Sequence, residues 1–589
     1  MSKAVTLALV AASLFAQAPL PPSIPWNGKS RELIAKPGDK WITVAENTGF
    51  RATPNYGQTV AYLRSLALAA PEVRMVSLGR SPEGRDIWMV VASRDRLFTP
   101  ETLHRSARPT LMVQAGIHGG EIDGKDAGLM LLRELTFGRW RQLLDRANLL
   151  FVPIFNVDGH ERASEYGRIN QRGPDVTGWR TNARNLNLNR DYTKLDAVET
   201  RAMVAALDLW KPDLYIDTHV TDGSDYQYDI TFGWNESGYS SQSTRWIRTT
   251  LAPQINSVLR AQGHVPGPLI PDDLAQGLTI ANLPPRFSNG YGDVRHIPSI
   301  LVETHSLKPY EERVLATLVL LQAALQTLGE EGLALKHAAM TDSESRVDPV
   351  PLSWRVPKVS AAAPETMDML LIESRTEQSA VSGTNKVEYL GKPVTVRRAV
   401  YRQTEVATSV RRAKAYWIPA AWSDIADRVR MHGIAVERTS DAREVDVDMY
   451  RLHDPKFDPE PFEGHHRVTA TPVIEHRKER FPAGSFRVST DQPLGDLATV
   501  LLEPVSEDSF LQWGFFDTVF QRTEYVENYV VEAMADQMLA SDPALKSEFE
   551  KRLATDEAFR SSPEQRLDFF YSRTPYADAR WRLYPVARE

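Results

Sequence analysis

Short apolar segments alternate with one-sided helical segments between residues 51 and 330. Four runs are almost entirely apolar, as is typical of strands buried on both faces: TLMVQAGI, NLLFVPIF, DLYIDT and SILVET. Residues 124–137 and 196–210 place their apolar side chains on one face of a helix. This alternation predicts an α/β domain with a mixed, mainly parallel central sheet flanked by helices.

The composition changes after residue 340. Residues 341–365 are rich in Pro, Ser and charged residues, which predicts a linker. Beyond them, short β-rich runs such as KVEYLGKPVTVRRAV precede a helical segment at the C-terminal end. We therefore predict one domain at 51–340 and a β-rich α+β accessory domain at 366–589, with residues 19–50 as an extended lead-in.

The first 18 residues have the layout of a secretory signal peptide. Lys3 precedes an apolar run, and the segment closes on the small-residue sequence Ala16-Gln17-Ala18. Pro19 is a poor residue at a cleavage junction, so cleavage elsewhere and retention as an anchor both stay open. Since no other segment has the roughly 20 apolar residues of a membrane span, we predict an exported, periplasmic or extracellular protein.

Composition narrows the class of partner. A net charge of −7 with 25% charged residues gives no support for binding to nucleic acid or an anionic membrane. The chain has no Cys, which excludes disulfides, thiolate metal sites and a Cys nucleophile. We therefore expect a small or peptidic partner.

Polar side chains with metal-binding capacity follow three of the predicted strands. His118 and Glu121 lie in the turn HGGE after the first strand, His219 ends DLYIDTH, and Glu303 ends SILVE. A single His after a strand is usually structural. Because ligands bind at the carboxyl ends of parallel strands, the convergence of two His and two Glu at one edge predicts a site. Imidazole nitrogen and carboxylate oxygen are ligands that zinc accepts readily.

The segment WRTNARNLNLNRDY is dense in Asn and Arg. Each of these side chains brings hydrogen-bond donors that need acceptors when they are buried. The segment is therefore either a solvated loop or the polar wall of a pocket.

Five motifs in order resemble the zinc carboxypeptidases of the carboxypeptidase A type, in an exported bacterial form. The motifs are HGGE, NVDG, WRTNARNLNLNRDY, IDTH and LVETH, and the resemblance covers about residues 50 to 330. It implies that the domain at 51–340 is catalytic. It further implies a zinc-dependent metallocarboxypeptidase that hydrolyses the C-terminal bond of peptides with a free C-terminal carboxylate.

The resemblance also assigns roles to residues. His118, Glu121 and His219 are the expected ligands of one zinc ion per chain, a set that leaves one coordination position open. Glu303 is the expected general base, which takes a proton from the attacking water and passes it to the leaving amine.

Substrate-binding roles follow from the same resemblance. Asn189 and Arg190 are expected to hold the substrate's terminal carboxylate, a task that suits the guanidinium fork. Arg180 is expected to polarise the scissile carbonyl, with Arg184, Arg172 and Arg168 as alternatives. Tyr291 is the expected phenol that closes over the substrate.

The sequence departs from the family pattern at one position, and several alternative interpretations stay open. Gly120 stands where animal members of the family have Arg. A pocket for basic side chains would use Asp293, Asp222 or Asp225, although acidic loop residues are more often solvated. The histidines at 465, 466 and 476 are interpreted as surface residues. Two other functions remain: a zinc-dependent deacylase or amidase of N-acyl amino acids or cell-wall peptides, and a non-catalytic exported peptide-binding protein.

Overall fold

A computed structural model describes residues 19–270 and 274–589 of the chain. The predicted signal peptide, residues 1–18, lies outside the described residues. None of the described helices combines the length and the apolar content needed to cross a membrane.

A mixed sheet is the centre of the first half of the chain. The strands are β1 (Val73–Arg80), β2 (Asp86–Ala92), β3 (Thr110–Ala115), β4 (Asn148–Val152), β5 (Leu214–Val220), β6 (Ile230–Gly233), β7 (Pro266–Pro268), β8 (Leu278–Ile280) and β9 (Ser299–Thr304). All but β8 form one eight-stranded sheet in the order β1-β2-β4-β3-β5-β9-β6-β7. Strands β4, β3, β5 and β9 run parallel, and the pairs β1-β2, β2-β4 and β9-β6 are antiparallel, while β7 runs parallel to β6. The predicted mixed, mainly parallel sheet is confirmed.

Helices cover the sheet on both faces. Those before residue 345 are Val44–Asn47, Tyr56–Ala69, Pro100–His104, Asp123–Thr136, Val157–Glu161, Val198–Trp210, Ser241–Trp246, Ala252–Ala261, Ser288–Val294 and Tyr310–Glu344. The helix Asp123–Thr136 is buried along its whole length, because it lies between the sheet and the helix Tyr310–Glu344. Its apolar residues and those of strands β3, β4 and β5 share one core.

The C-terminal half adds ten strands. They are β10 (Val350–Arg355), β11 (Glu365–Gln378), β12 (Asn385–Arg402), β13 (Glu405–Val410), β14 (Ala415–Ile418), β15 (Glu437–Arg438), β16 (Arg443–Phe457), β17 (Val468–Phe481), β18 (Phe486–Ser489) and β19 (Ala587–Arg588). Six of them form a sheet in the order β15-β18-β14-β19-β16-β17, and the long hairpin β11-β12 pairs with β8 of the first half. The helices are Lys358–Ala362, Ser423–Met431, Gly495–Leu502, Asn528–Ser541, Pro543–Thr555, Glu557–Ser561 and Pro563–Tyr571.

The two halves share a hydrophobic core. Leu150 and Tyr192 from the first half belong to the same buried cluster as Tyr416, Leu501 and Phe510 from the second. The segment predicted as a linker, 341–365, contains the end of the helix Tyr310–Glu344 and strand β10. Its Pro and Ser residues are compatible with this order because the strand pairs with β13 and packs against the shared core.

The segment before residue 50 is tied to the rest of the first half, residues 51–344, by a buried hydrogen-bond chain. Ser30 Oγ lies 2.8 Å from His264 Nε2, and His264 Nδ1 lies 2.6 Å from Asp229 Oδ2. The order of groups is that of a Ser-His-Asp nucleophile. All three side chains are buried, however, and Trp26 stacks on the His264 ring. This row of hydrogen bonds therefore anchors the N-terminal segment.

Candidate active site

Neighbouring strand ends bring the predicted ligands and base together. Strand β3 ends three residues before His118, which begins the HGGE turn. His219 and Glu303 are direct partners in the parallel register of β5 and β9. Since paired residues of adjacent strands point to the same face, the imidazole and the carboxylate lie side by side at the carboxyl edge of the sheet.

Three side chains form a metal-binding cluster at this edge. One ligand atom each of His118, Glu121 and His219 lies within 4.8 Å of the others, and all three residues are buried. His118 Nδ1 lies 2.9 Å from Glu121 Oε2, yet it makes no hydrogen bond of acceptable geometry. A buried imidazole nitrogen that faces a carboxylate without bonding to it fits the donor set of a metal ion.

Two neighbours hold the histidine rings from behind. Asn187 Oδ1 lies 3.0 Å from His118 Nε2, and Asp217 Oδ2 lies 2.7 Å from His219 Nε2. With each Nε2 engaged, both Nδ1 atoms face the cluster. Such partners behind metal ligands orient the rings and select the tautomer.

The protonation of the two histidines differs. Burial lowers the pKa of His118 to about 4, so its ring is neutral near pH 7, as a metal ligand requires. Burial also lowers the pKa of His219, but the carboxylates of Asp217, Glu121 and Glu303 outweigh burial and raise that pKa well above its usual value. A bound cation would therefore take the place of the His219 proton.

Arg168 occupies the space left by Gly120. A Cβ atom on Gly120 would lie 2.7 Å from Arg168 Cγ. The guanidinium of Arg168 reaches Glu121, with Nη2 2.9 Å from Oε1. The turn that lacks an Arg at position 120 thus receives a positive charge from another loop, which helps to keep the Glu121 carboxylate ionised and oriented.

Three glycines from three motifs meet backbone to backbone beside the cluster. A Cβ on Gly119 would lie 2.3 Å from the carbonyl carbon of Gly159, and a Cβ on Gly178 would lie 2.4 Å from the carbonyl oxygen of Gly119. These distances are too short for any side chain. The glycines of HGGE, NVDG and the segment before Trp179 therefore let the three loops approach closely enough to place His118 and Arg180 in one site.

Gly119→Ala is expected to weaken zinc binding about tenfold or more, because a methyl group against the Gly159 backbone displaces the ligand-bearing turn. Competition with a chromogenic chelator measures the dissociation constant. Gly57→Ala is the matched control, since its Cβ would have only an ordinary contact of 3.5 Å with Asn55 in a helix. Unchanged zinc affinity in the Gly119 variant would show that the turn tolerates the displacement.

A cavity of about 520 Å³ opens over the cluster. Its lining includes every predicted site residue except Tyr291: His118, Glu121, Arg180, Asn189, Arg190, His219 and Glu303. Apolar side chains complete the wall: Val220, Tyr226, Leu269, Ile270, Ala281, Leu283, Phe287 and Leu301.

The prediction for Tyr291 does not hold. Its side chain is fully buried, and its hydroxyl lies 2.7 Å from His432 Nδ1 in the C-terminal half. The helix Ser288–Val294 directs Tyr291 into the shared core, away from the cavity. Phe287, one residue before this helix, faces the cavity instead.

Glu303 carries an unsatisfied buried oxygen. Its Oε2 atom is buried and has no hydrogen-bond partner among the described residues. Burial raises the pKa of Glu303 to about 8, and the nearby Glu121 carboxylate adds to the rise. A cation bound at the three-ligand cluster would lower this pKa toward the ionised form that a general base needs.

Arg190 is a cation without an ion-pair partner in the described part of the chain. Nη1 donates to the carbonyl oxygen of Asn189 at 2.8 Å, and the guanidinium carbon lies 4.0 Å from the ring centroid of Phe287. Burial, together with the neighbouring Arg180 and Arg286, lowers the pKa of Arg190 to about 10. The group is therefore prepared to receive an anion.

The other arginine candidates lie elsewhere. Arg172 donates to the backbone oxygens of Leu307 and Pro21, and Arg184 is exposed to solvent. Arg168 contacts Glu121 but does not line the cavity. Arg180 lines it, with Nη1 3.3 Å from Glu121 Oε1.

The three acidic residues that were considered for a pocket binding basic side chains lie in different places in the structure. Asp293 is buried and accepts hydrogen bonds from the backbone of Tyr239 and Ser240, so it stabilises a loop. Asp225 lies 3.1 Å from His305. Asp222 lines the cavity at its exposed rim.

The C-terminal histidines form no metal cluster within the described ranges. His465 pairs with Asp196 at 2.7 Å, and His476 pairs with Asp448 on an exposed face. Two supporting residues, Asn187 and Asp217, escaped sequence analysis, whereas Arg168 was considered only as an alternative to Arg180. Both carried a usable signal, since each lies two residues before a predicted site residue, and alternation along β5 places Asp217 on the same face as His219.

Comparison with known proteins gives consistent matches. A family model described as zinc carboxypeptidase matches residues 59–264. Carboxypeptidase 2 of Trichophyton tonsurans is 25% identical over 461 residues, which cover 74% of this chain and 79% of that protein. Carboxypeptidase D of Rattus norvegicus is 31% identical over 186 residues, which cover 30% of this chain and 13% of that protein.

Two solved carboxypeptidase structures match part of this chain. A metallo-carboxypeptidase from Burkholderia cenocepacia is 19% identical and has a TM-score of 0.36, with 46% of this chain and 69% of that chain covered. Carboxypeptidase A from Helicoverpa armigera is 20% identical, also with a TM-score of 0.36, and 53% of this chain and 80% of that chain are covered.

An α/β sheet with a two-histidine, one-glutamate cluster at its strand ends defines a metallohydrolase. The matched domain places the chain within that class. Residues 59–264 match the zinc carboxypeptidase family model, and the chain is a hydrolase of peptide bonds. The resemblance drawn from the five motifs is confirmed, while the curated relatives named above come from a fungus and a mammal.

Proposed function

We propose that this chain is a zinc metallocarboxypeptidase that removes the C-terminal residue from peptides with a free terminal carboxylate. The observation that carries the proposal is the position of Arg190. This largely buried cation, which has no ion-pair partner among the described residues, lines the same cavity as the three-ligand cluster and Glu303. An exopeptidase needs this pairing of an anion-binding group with a hydrolytic centre.

His118, Glu121 and His219 would hold one zinc ion per chain. Their donor set and burial fit zinc, which takes two imidazoles and one carboxylate in catalytic sites. When bound, zinc supplies Lewis acidity that polarises the scissile carbonyl and acidifies the attacking water.

Arg190 and Asn189 would receive the terminal carboxylate of the substrate. The guanidinium fork donates two parallel hydrogen bonds to a carboxylate, and Phe287 holds the plane of the guanidinium. Asn189 Oδ1 accepts from the backbone of Ser288 at 2.9 Å, and its amide Nδ2 lies 3.5 Å from His219 Nε2, so the amide NH₂ is the end left to donate to an anion. Binding the carboxylate at this point excludes peptides that continue beyond the cleaved residue.

Glu303 would act as the general base. Its free Oε2 accepts a proton from the attacking water and returns that proton to the leaving amine. Arg180 would stabilise the negative charge that develops on the scissile carbonyl oxygen, because its guanidinium lines the cavity beside Glu121.

Mass spectrometry of a peptide mixture tests the proposal. Matched pairs of free-acid and C-terminally amidated peptides are incubated with the zinc-loaded protein, with and without a zinc chelator. We expect single C-terminal residues to be released from the free acids only, and chelation to abolish the release. If the protein binds zinc but cleaves no peptide, the carboxypeptidase proposal fails, and N-acyl amino acids and cell-wall peptides become the substrates to test.

A further inference from the structure

The C-terminal half reaches the site from behind the cavity wall. Several of its hydrogen bonds fall on two segments of the first half, residues 187–196 and residues 286–296. Trp513 donates to Thr193 Oγ1 at 3.2 Å, and His465 pairs with Asp196. These segments contain Asn189, Arg190 and Phe287, so the C-terminal half contacts the backbone that carries the anion-binding group.

One contact is a carboxylate on a tight turn. The loop between β16 and β17 closes with two backbone hydrogen bonds between Phe462 and His465. Glu463 lies at the tip of this turn in the left-handed region, with φ +51°. The ring of Phe462 stacks on Trp513, which fixes the turn against the catalytic half.

Glu463 holds the backbone of the substrate-binding segment. Its Oε2 accepts the backbone N–H of Asn187 at 2.8 Å. Among the described residues it forms no ion pair with a Lys or Arg side chain, so its charge is free to act on the nearby cation Arg190, whose pKa it raises. An N–H donor bonded to a carboxylate forms a short, charge-assisted bond of well-defined direction.

Asn187 passes this constraint to both parts of the site. Its Oδ1 lies 3.0 Å from His118 Nε2 and also accepts the backbone N–H of Asn189 at 3.0 Å. The position of one asparagine therefore sets the ring of a metal ligand and the start of the turn that presents Arg190.

The opposite wall is held in a similar way. Asp508 is fully buried and accepts both the backbone N–H and the guanidinium of Arg286, at 2.9 and 2.8 Å. Arg286 directly precedes Phe287, the ring on which Arg190 lies. The C-terminal half thus frames Arg190 on two sides.

We propose that the C-terminal region is a positioning element of the substrate site, which acts through the hydrogen bond from Asn187 to Glu463. Glu463 does not touch the substrate or the metal. It fixes the segment that does, and removal of the bond loosens the carboxylate-binding pair and the His118 ring together. The inference rests on the proposed function for its substrate readout.

Two variants of the full-length protein separate the hydrogen bond from other effects. Glu463→Ala removes the acceptor, whereas Glu463→Gln keeps a side-chain oxygen that can accept from Asn187. We expect the Ala variant to raise KM for a free-acid peptide about tenfold with a smaller change in kcat, and the Gln variant to stay near wild type. Glu460→Ala, an exposed glutamate in the same loop, is the matched control.

The zinc dissociation constant is the second readout. We expect it to rise about tenfold in Glu463→Ala, because Asn187 holds His118, and to stay unchanged in the Glu460→Ala control. If the wild-type protein releases no C-terminal residue, the proposed function fails and the zinc constant alone decides this inference. The inference is overturned if KM and the zinc dissociation constant of Glu463→Ala lie within about twofold of those of Glu460→Ala. If the wild-type protein is inactive, the same comparison of the zinc constant alone overturns it.

Discussion

Replacing Glu303 by Gln is expected to lower kcat about 10²- to 10⁴-fold while the protein still binds zinc, because Gln cannot take a proton from the attacking water. The substitution keeps the size and shape of the side chain. Its effect therefore reports the loss of proton transfer, since the carboxylate oxygen without a hydrogen-bond partner is replaced by an amide. KM is expected to change little, because Glu303 is not among the groups proposed to hold the terminal carboxylate.

Steady-state hydrolysis of a free-acid peptide, together with the zinc content per chain, measures this effect. Glu165→Gln is the control, since Glu165 is exposed on a loop and has no assigned role. A Glu303→Gln protein that holds zinc and hydrolyses peptide at the wild-type rate would remove Glu303 from the mechanism. Loss of zinc in this variant would instead show that Glu303 supports the ligands.

Arg190→Ala is expected to raise KM for free-acid peptides about 10²- to 10⁴-fold. Two charge-assisted hydrogen bonds are lost, each contributing about 1.5–3 kcal/mol, and about 1.4 kcal/mol corresponds to a factor of ten. The KM of Arg190→Lys is expected to lie between those of the wild type and of Arg190→Ala, because the ammonium keeps the charge but cannot donate two parallel hydrogen bonds.

Kinetics on matched free-acid and amidated peptides measure the effect of Arg190. The preference for free acids should shrink in Arg190→Ala, since the group that recognises the carboxylate is absent. Arg184→Ala, an exposed arginine in the same segment, is the matched control. If Arg190→Ala keeps the full preference for free acids, another cation binds the carboxylate and the exopeptidase assignment of Arg190 is wrong.

Most of the candidate site was accessible from local sequence patterns. His219 and Glu303 end apolar strands that are buried on both faces, and His118 follows another such strand. Because parallel strands place their carboxyl ends at one edge, the end of each strand was enough to predict that these residues meet. Asn189 and Arg190 were predicted through the resemblance to zinc carboxypeptidases, because the density of Asn and Arg in their segment fitted a solvated loop as well as a polar wall.

The direction in which an individual side chain points could not be predicted from local sequence patterns. Tyr291 lies close in sequence to Glu303, but the helix Ser288–Val294 packs so that its hydroxyl bonds to His432, which is 141 positions away. Phe287, adjacent to that helix, takes the place at the cavity. Which residue of a short helix faces a site depends on what covers its other side, and here the C-terminal half covers it.

Contacts over long sequence distances account for the remaining differences. Arg168 fills the space beside Gly120, and Glu463 bonds to Asn187 from 276 positions away. The composition of residues 341–365 indicated a linker, yet the helix Tyr310–Glu344 and strand β10 carry the chain into a shared core. A local sequence pattern cannot predict contacts between residues that come together only when distant segments of the chain pack.

The fold class and the convergence of His118, His219 and Glu303 at one sheet edge could therefore be predicted from the order and periodicity of the chain, because strand burial and strand ends are local properties. The orientation of the histidine rings, the source of the charge on Glu121 and the support behind Arg190 required the packed molecule. Each depends on hydrogen bonds between loops that only the close approach of Gly119, Gly159 and Gly178, and the docking of the C-terminal half, bring within reach.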